Sequence, residues 1–415
     1  MTFKVLLLAA CAAVFTNGAM AQETDGIKLP AGFHATVVAD KLGVLRHIAF
    51  RDNDNLYVST QWSATGAAGD VIAIHLDKNR VADKTQHFGA MMGGTGLVVY
   101  RGALYAASPA RVYRYAFHGK DLVPVSEPTI VIDGMPATRN TARGIAFDGK
   151  GNLFVSMGAT QGANMCVNGN SKTGLKPCPL LDTRSGIWRF SATKLNQEFK
   201  DGEKFSTGIR DMGALTWSPT DNALYGIMHG RDNTSRDFPA VVNGADDDAI
   251  ADEMHKVVKG TDFGWPYTYY DGVRKIRLVA PEYGGDNKSA APAGQYATPV
   301  ATFQSTRSSP LDLAFYTGKA FPPAYRGGAF ITRHGSAGPK PNNKGYDVVF
   351  IPFDKNGVAG AEQEFATGFA GPTQAEKTAA KAKYRPVGTA MAPDGSLYVT
   401  DSTSGKIWRI SYTGN

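Results

Sequence analysis

Six times along the chain, a short alternation of apolar and polar residues runs into a polar turn and then into Leu-Tyr-Val or a near variant. The copies read IAFRDNDNLYVS from Ile48, LVVYRGALYAA from Leu97 and IAFDGKGNLFVS from Ile145. They continue as LTWSPTDNALYGIM from Leu215, LAFYTGKAFPPAYRGGAFIT from Leu313 and AMAPDGSLYVT from Ala390. A period of two places alternate side chains on one face, the mark of a half-buried strand. Asp, Asn and Gly between the runs tolerate the left-handed backbone of a tight hairpin. Such a unit, repeated every 40–50 residues or so, predicts a propeller or a solenoid. VYRYAF (Val112–Phe117), GIWRF (Gly186–Phe190), VVFIPF (Val348–Phe353) and IWRISY (Ile407–Tyr412) supply third or outer strands. The expected fold is all-β, a six-bladed β-propeller of four-stranded antiparallel blades forming a single domain over residues 22–415. FHATVVAD (Phe33–Asp40) lacks a hairpin partner and is expected to complete the last blade, closing the ring.

After Leu153 the repeats move apart, so the excess chain must lie in long inter-strand loops. These are Thr160 to Thr183, Arg231 to Asp252, Thr268 to Thr306, Gly335 to Tyr346 and Gly371 to Lys383. Loops beyond about 12–15 residues are usually functional or disordered. Propellers place their sites at the mouth of the central channel.

Composition changes the picture mainly at the N-terminus. Lys4 precedes an apolar run from Val5 to Phe15, and Ala19-Met20-Ala21 offers small residues for cleavage. Residues 1–21 therefore read as a signal peptide, too short to span a bilayer, and the mature protein is expected to be periplasmic or secreted with no membrane span. Beyond the leader only Cys166 and Cys178 remain, spaced for one loop-stapling disulfide. They have no evident His partners for zinc, and no Cys-x-x-Cys-His is present to attach haem. The formal charge of +7 is scattered. Without dense basic runs it argues against a nucleic-acid surface, while suiting an anionic cofactor. The Gly93-Gly94-Thr95-Gly96 cluster lies within the second repeat without a following helix, so it is not a dinucleotide fingerprint.

The loops carry GIRD (Gly208–Asp211), HGRD (His229–Asp232), ADE (Ala251–Glu253), FGWPYTYYD (Phe263–Asp271) and PEYGGD (Pro281–Asp286). With GIWRFSA, YRGGAFITRHGS, GYDVVFIPF and YRPVGTAMAPDGSLYVT, this ordered string resembles the glucose/sorbosone dehydrogenases. Those are soluble six-bladed propellers that use pyrroloquinoline quinone (PQQ) with calcium, and the chain looks closest to the sorbosone-dehydrogenase-like branch. The resemblance implies that Arg210 and Arg385 contact the cofactor, with Lys383 as a companion cation; Arg suits such carboxylate contacts. It implies Ca2+ on main-chain oxygens of Gly230 and Arg231, beside the acidic pair Asp252 and Glu253. The Asp246–Asp248 run reads as a solvated loop, and Trp265, Pro266 and Tyr267 as turn packing or a site wall.

Two departures bear on catalysis. The family's usual base is a His before the third inner strand, and here that place falls on Asn140. Asn cannot take a proton near neutral pH, and loss of a general base typically costs about 10²–10⁴ in rate. Asp211 stands where the family has Asn beside the Arg. His229 and His334, each opening a His-Gly step, are the candidates for a relocated base. The expected function is an exported PQQ-dependent oxidoreductase acting on a sugar, polyol or aldehyde and passing electrons to an external acceptor. The alternative is a catalytically impaired propeller that binds a sugar or a protein. A calcium-dependent lactonase would use the same frame, but no string of metal-binding Glu, Asn and Asp supports it.

Overall fold

The computed structural model describes residues 24–61, 69–90, 94–137, 142–159, 163–303, 308–336 and 343–414. Asn140 and the leader therefore lie outside the described residues. Blade 1 runs through Leu45–Phe50, Asn55–Thr60, Asp70–Leu76 and Ala82–Ala90. Blade 2 follows with Leu97–Tyr100, Ala103–Ala107, Val112–Ala116 and Thr129–Asp133, and Gln197–Glu198 adds a parallel edge to it. Blade 3 comprises Ile145–Phe147, Asn152–Met157, Gly186–Ser191 and Glu203–Thr207. Blade 4 comprises Ala214–Ser218, Ala223–Met228, Asp252–Val257 and Ala301–Phe303. Blade 5 uses Pro310–Phe315, Ala329–Arg333, Asp347–Ile351 and Gln363–Ala366. Blade 6 takes Pro386–Met391, Leu397–Asp401 and Ile407–Tyr412 from the C-terminus. Its fourth strand is Phe33–Ala39 from the N-terminus, with Phe33 opposite Tyr412.

The first strand of each blade is innermost, and these six strands touch their neighbours round the ring. Where a hairpin pairs the start of an inner strand with the end of the second, both fall at one mouth of the channel. Leu45 faces Thr60, Ala214 faces Ile227, Pro310 faces Arg333 and Pro386 faces Asp401. The connections 158–185, 229–251, 334–346 and 402–406 leave from that same mouth, so pairing alone gathers the loops there.

A Ser or Thr near the end of the second strand ties blades 1, 3, 5 and 6 each to the next. In blade 1, Ser59 Oγ accepts the His47 amide (3.1 Å) and donates to the Thr95 carbonyl of blade 2 (2.9 Å). In blade 3, Ser156 Oγ accepts Gly144 N (2.9 Å) and donates to Met212 O (2.6 Å). Thr332 links to Val387 O, and Thr400 takes Gly388 N (2.8 Å) while donating to Arg46 O (2.7 Å). These hydroxyls satisfy backbone groups that would otherwise be buried unpaired. Gly388 has no room for a side chain there, because a Cβ would lie 2.3 Å from Arg46 O.

Apolar side chains fill the spaces between blades. Trp408 is fully buried, with Tyr384 and Phe369 edge-on at 4.8 and 5.3 Å. Three expectations for the loops change. The Thr268 to Thr306 segment contains an antiparallel hairpin, Thr268–Asp271 with Ile276–Val279. The Asp246–Asp248 run sits in a helical turn, Gly244–Ala249, capped by Asn243. Asp247 in that turn is buried and accepts from Ser235 N and Oγ.

Candidate functional site

Four arginines approach the loop-bearing mouth of the channel. Arg46 enters the inner strand of blade 1, its carbonyl fixed by Thr400. Arg143, 1% exposed, precedes the inner strand of blade 3 and donates from Nε to Pro109 O (3.1 Å) and from Nη2 to Pro136 O (2.5 Å). Arg210, also buried, leads into blade 4. Its Nη1 donates to Gly230 O (2.5 Å) and its Nη2 to Asp232 Oδ2 (2.6 Å). Arg385, leading into blade 6, donates to the carbonyls of His334 (3.2 Å) and Gly335 (2.7 Å) and lies 5.6 Å from the Tyr346 ring centroid.

These cations exceed their counter-ions. Burial pushes Arg46 down to about 10; Asp211 opposes the shift, and the charge on Arg385 adds to it. Burial likewise pushes Arg143 down to about 9, aided by Arg184 and opposed by Asp211. Arg385 is lowered by burial as well. Arg46 Nε, Arg143 Nη1 and Arg210 Nε are buried with no hydrogen-bond partner among the described residues. A buried N–H left unpaired carries its full desolvation penalty, so the mouth of the channel is primed for an anion.

Two imidazoles share this mouth. His334 Nε2 lies 2.8 Å from Ser402 Oγ. Burial, followed by Arg385, Arg46 and His229, holds its pKa well below the usual value, so it is neutral at physiological pH. His229 donates from Nε2 to Pro310 O (2.8 Å), which leaves Nδ1 facing Asp211 Oδ2 at 3.9 Å.

Residues 27–413 match the family model described as TrAA12-like. The chain belongs to the TrAA12-like family. Among solved structures, this TrAA12-like chain is similar to the calcium structure of a Trichoderma reesei Carbohydrate-Active Enzymes Family AA12 protein. The TM-score is 0.74 at 18% identity, over 94% of this chain and 97% of that one. The holo form of the pyranose dehydrogenase PQQ domain from Coprinopsis cinerea gives 0.72 at 17%, covering 93% and 97%. The apo soluble aldose sugar dehydrogenase from Escherichia coli gives 0.60 at 18%, covering 92% and 100%. At these identities the likeness concerns the fold. An uncharacterized protein of Borreliella burgdorferi is 27% identical over 221 residues, 52% of this chain. That match spans about half (51%) of the relative's length.

The TrAA12-like chain brings Arg210, Asp211, Arg385 and Gly230 together, but it disperses other expected site residues. Asp252 lies beneath the turn, its Oδ1 accepting Gly230 N (3.0 Å) and its Oδ2 accepting Ser308 Oγ (2.7 Å). Burial raises its pKa, with His229 opposing. Glu253 belongs elsewhere: neighbours on a strand point to opposite faces, and its carboxylate meets Arg277 and His255 (3.1 Å). Arg231 turns from the mouth into a buried pair with Glu282 (3.0 Å). Lys383 is exposed over the Tyr384 ring, and its charge acts on Asp25. Cys166 and Cys178 are bonded, and Trp265 packs against them.

The Gly230 carbonyl and the Asp252 carboxylate, expected around calcium, are hydrogen-bonded within the fold. Gly230 O accepts from Arg210, both Asp252 oxygens are engaged, and no group of three His, Cys, Asp or Glu among the described residues could hold a metal. A planar tricarboxylate does fit, because it would meet the unpaired guanidinium N–H groups and balance their charge. Arg46 and Arg143 were missed by reading the loops alone. Their signal is the phrase Arg-x-Ile-Ala-Phe, which occurs at Arg46–Phe50 and again at Arg143–Phe147.

Proposed function

We propose that this protein is an exported PQQ-dependent dehydrogenase that oxidises a sugar, polyol or aldehyde and hands the electrons to an external acceptor. The observation that carries this reading is the excess of buried arginine charge, with unpaired Nε of Arg46 and Arg210 and Nη1 of Arg143, at one mouth of a propeller channel. Arg46, Arg210 and Arg385 are the residues that would hold the cofactor's carboxylates. Charge-assisted hydrogen bonds of this kind are the strong ones. When bound, PQQ supplies an electrophilic carbonyl that accepts hydride from the substrate carbon.

The chain's part is to orient the substrate hydroxyl and take its proton. His334 is the group we assign, since its imidazole is unprotonated and Ser402 fixes its Nε2 edge. An anionic ligand against Arg46 and Arg385 offsets two of the charges that, after burial, depress His334, and so makes it a better base. His229 is tied to Pro310 and faces Asp211, an arrangement suited to holding the substrate side of the site. No step is assigned to calcium.

Residues 1–21 and the disulfide support export to an oxidising compartment. The test is dye reduction by the mature protein with PQQ, screened over aldoses, polyols and aldehydes. PQQ-dependent turnover that His334→Asn lowers by about 10²–10⁴ is expected. Saturable PQQ binding with no turnover on any of these classes would instead mark a binding propeller.

A further inference from the structure

The Gly230–Asp232 turn, which orients Arg210, is braced from outside the channel. Asn164 lies two residues before Cys166. Its Nδ2 donates to the Asp232 carbonyl (2.5 Å), and its Oδ1 accepts the Asp232 amide (3.0 Å). The side-chain amide thus pairs with the Asp232 main chain as a neighbouring strand would, and the Asp232 carboxylate in turn holds Arg210 Nη2 (2.6 Å). A second strut runs from Gly174 N to Glu282 O (2.8 Å), and from the Glu282 carboxylate to Arg231 Nη1 (3.0 Å).

The second strut starts inside the loop that the Cys166–Cys178 bond closes, and the first from Asn164, two residues ahead of it. That loop is itself mounted on the segment after blade 4's third strand. The Trp265 indole donates to the carbonyls of Ala163 and Asn164 (both 3.1 Å). The Tyr283 hydroxyl reaches Leu175 O (3.1 Å), and Cys178 N donates to the Tyr267 hydroxyl (2.9 Å).

We infer that Asn164 is a positioning residue for Arg210, with the disulfide loop as its mount. The inference rests on the reading of Arg210 as a cofactor contact. Two of the three Arg210 nitrogens are set by the turn, so the direction of the free Nε–H follows from where Asp232 and Gly230 stand. Losing Asn164 leaves the Asp232 amide and carbonyl without that partner, and the turn loses its register against the loop. Partners that orient metal ligands typically change affinity by roughly 10- to 100-fold when removed, and the same scale is taken for the support of Arg210.

The experiment uses the mature protein, Asn164→Ala, Asn164→Asp, Cys166→Ser/Cys178→Ser, Arg210→Ala and the Asn164→Ala/Arg210→Ala double variant. Two readouts are taken: hydrogen exchange at residues 230–232 without cofactor, and absorbance titration with PQQ. Asn164→Ala is expected to speed exchange at the Asp232 amide and to weaken PQQ by roughly 10- to 100-fold, with no further loss in the Arg210→Ala background. Asn164→Asp keeps an acceptor for the amide but no donor, and should fall between. The double serine variant should lose the same affinity. Unchanged affinity in Asn164→Ala, or an equal loss in the Arg210→Ala background, overturns the inference. If the unaltered protein binds no PQQ, the functional reading falls, and exchange alone decides. Faster exchange in Asn164→Ala then supports the brace, and unchanged exchange overturns it.

Discussion

Replacing Arg46 by Met should make the cofactor-free protein more stable and its cofactor binding worse. Burial has moved this guanidinium from 12.5 to about 10, although Asp211 pulls the other way. At about 1.4 kcal/mol per pKa unit, the charged form in the folded protein is disfavoured by roughly 3 kcal/mol relative to the unfolded chain. Its Nε is buried with no partner. Met has a similar reach and removes both penalties, while the loss of attraction to Asp211 keeps the gain below that ceiling. In urea, the midpoint should rise by an amount equivalent to about 1–3 kcal/mol with no change in slope. PQQ affinity should fall by about 10- to 100-fold, the worth of one hydrogen bond to a charged group. A variant that unfolds earlier and binds PQQ as before would refute the reasoning. Arg46 would then be a structural residue whose charge is satisfied within the fold.

Three further outcomes follow from named contacts. His334→Asn should lower the turnover number by about 10²–10⁴ while leaving PQQ affinity nearly unchanged, read by steady-state dye reduction and absorbance titration; equal turnover would remove His334 from the chemistry. Ser156→Ala strips the Gly144 amide and Met212 carbonyl of their shared partner. It should cost about 1–3 kcal/mol in urea unfolding, and no loss would show that the hydroxyl clamp is idle. His255 is fully buried and its pKa is lowered, chiefly by burial, with Glu253 opposing. Its contribution to stability is therefore complete above the unfolded value near 6.5 and is lost as pH falls below it. The stability difference between the unaltered protein and His255→Asn should shrink from pH 7.5 to pH 5.5. A difference that grows on acidification would contradict this sign.

The propeller was legible because its repeat is local: each hairpin writes its own period-two runs and turn residues within a dozen positions. Closure by Phe33–Ala39 was legible for the opposite reason, a strand-like run with nothing beside it to pair with. The extra hairpin was not, since TYYD and IRLV are four-residue runs set among Gly and Pro. Glu253 was misjudged because Asp252-Glu253 reads as an acidic pair along the chain, whereas the strand DEMHKV sends the two carboxylates to opposite faces. Arg231 reads as a loop cation, but only the tertiary fold brings Glu282 to it. Arg46 and Arg143 were within reach, since both stand two residues before Ile-Ala-Phe. A charge at the same place in two repeats points into the same channel. The bracing of Asp232 by Asn164 joins residues 68 positions apart and leaves no local mark.

The account stands on the arginine cluster accepting an anionic cofactor, and the most direct test is an absorbance titration of the protein with PQQ, run with calcium and again with a chelator. The account predicts saturable binding that Arg46→Met and Arg385→Met both weaken, and that persists in the chelator because the carboxylates are assigned to arginines. Failure to bind PQQ under either condition would contradict it.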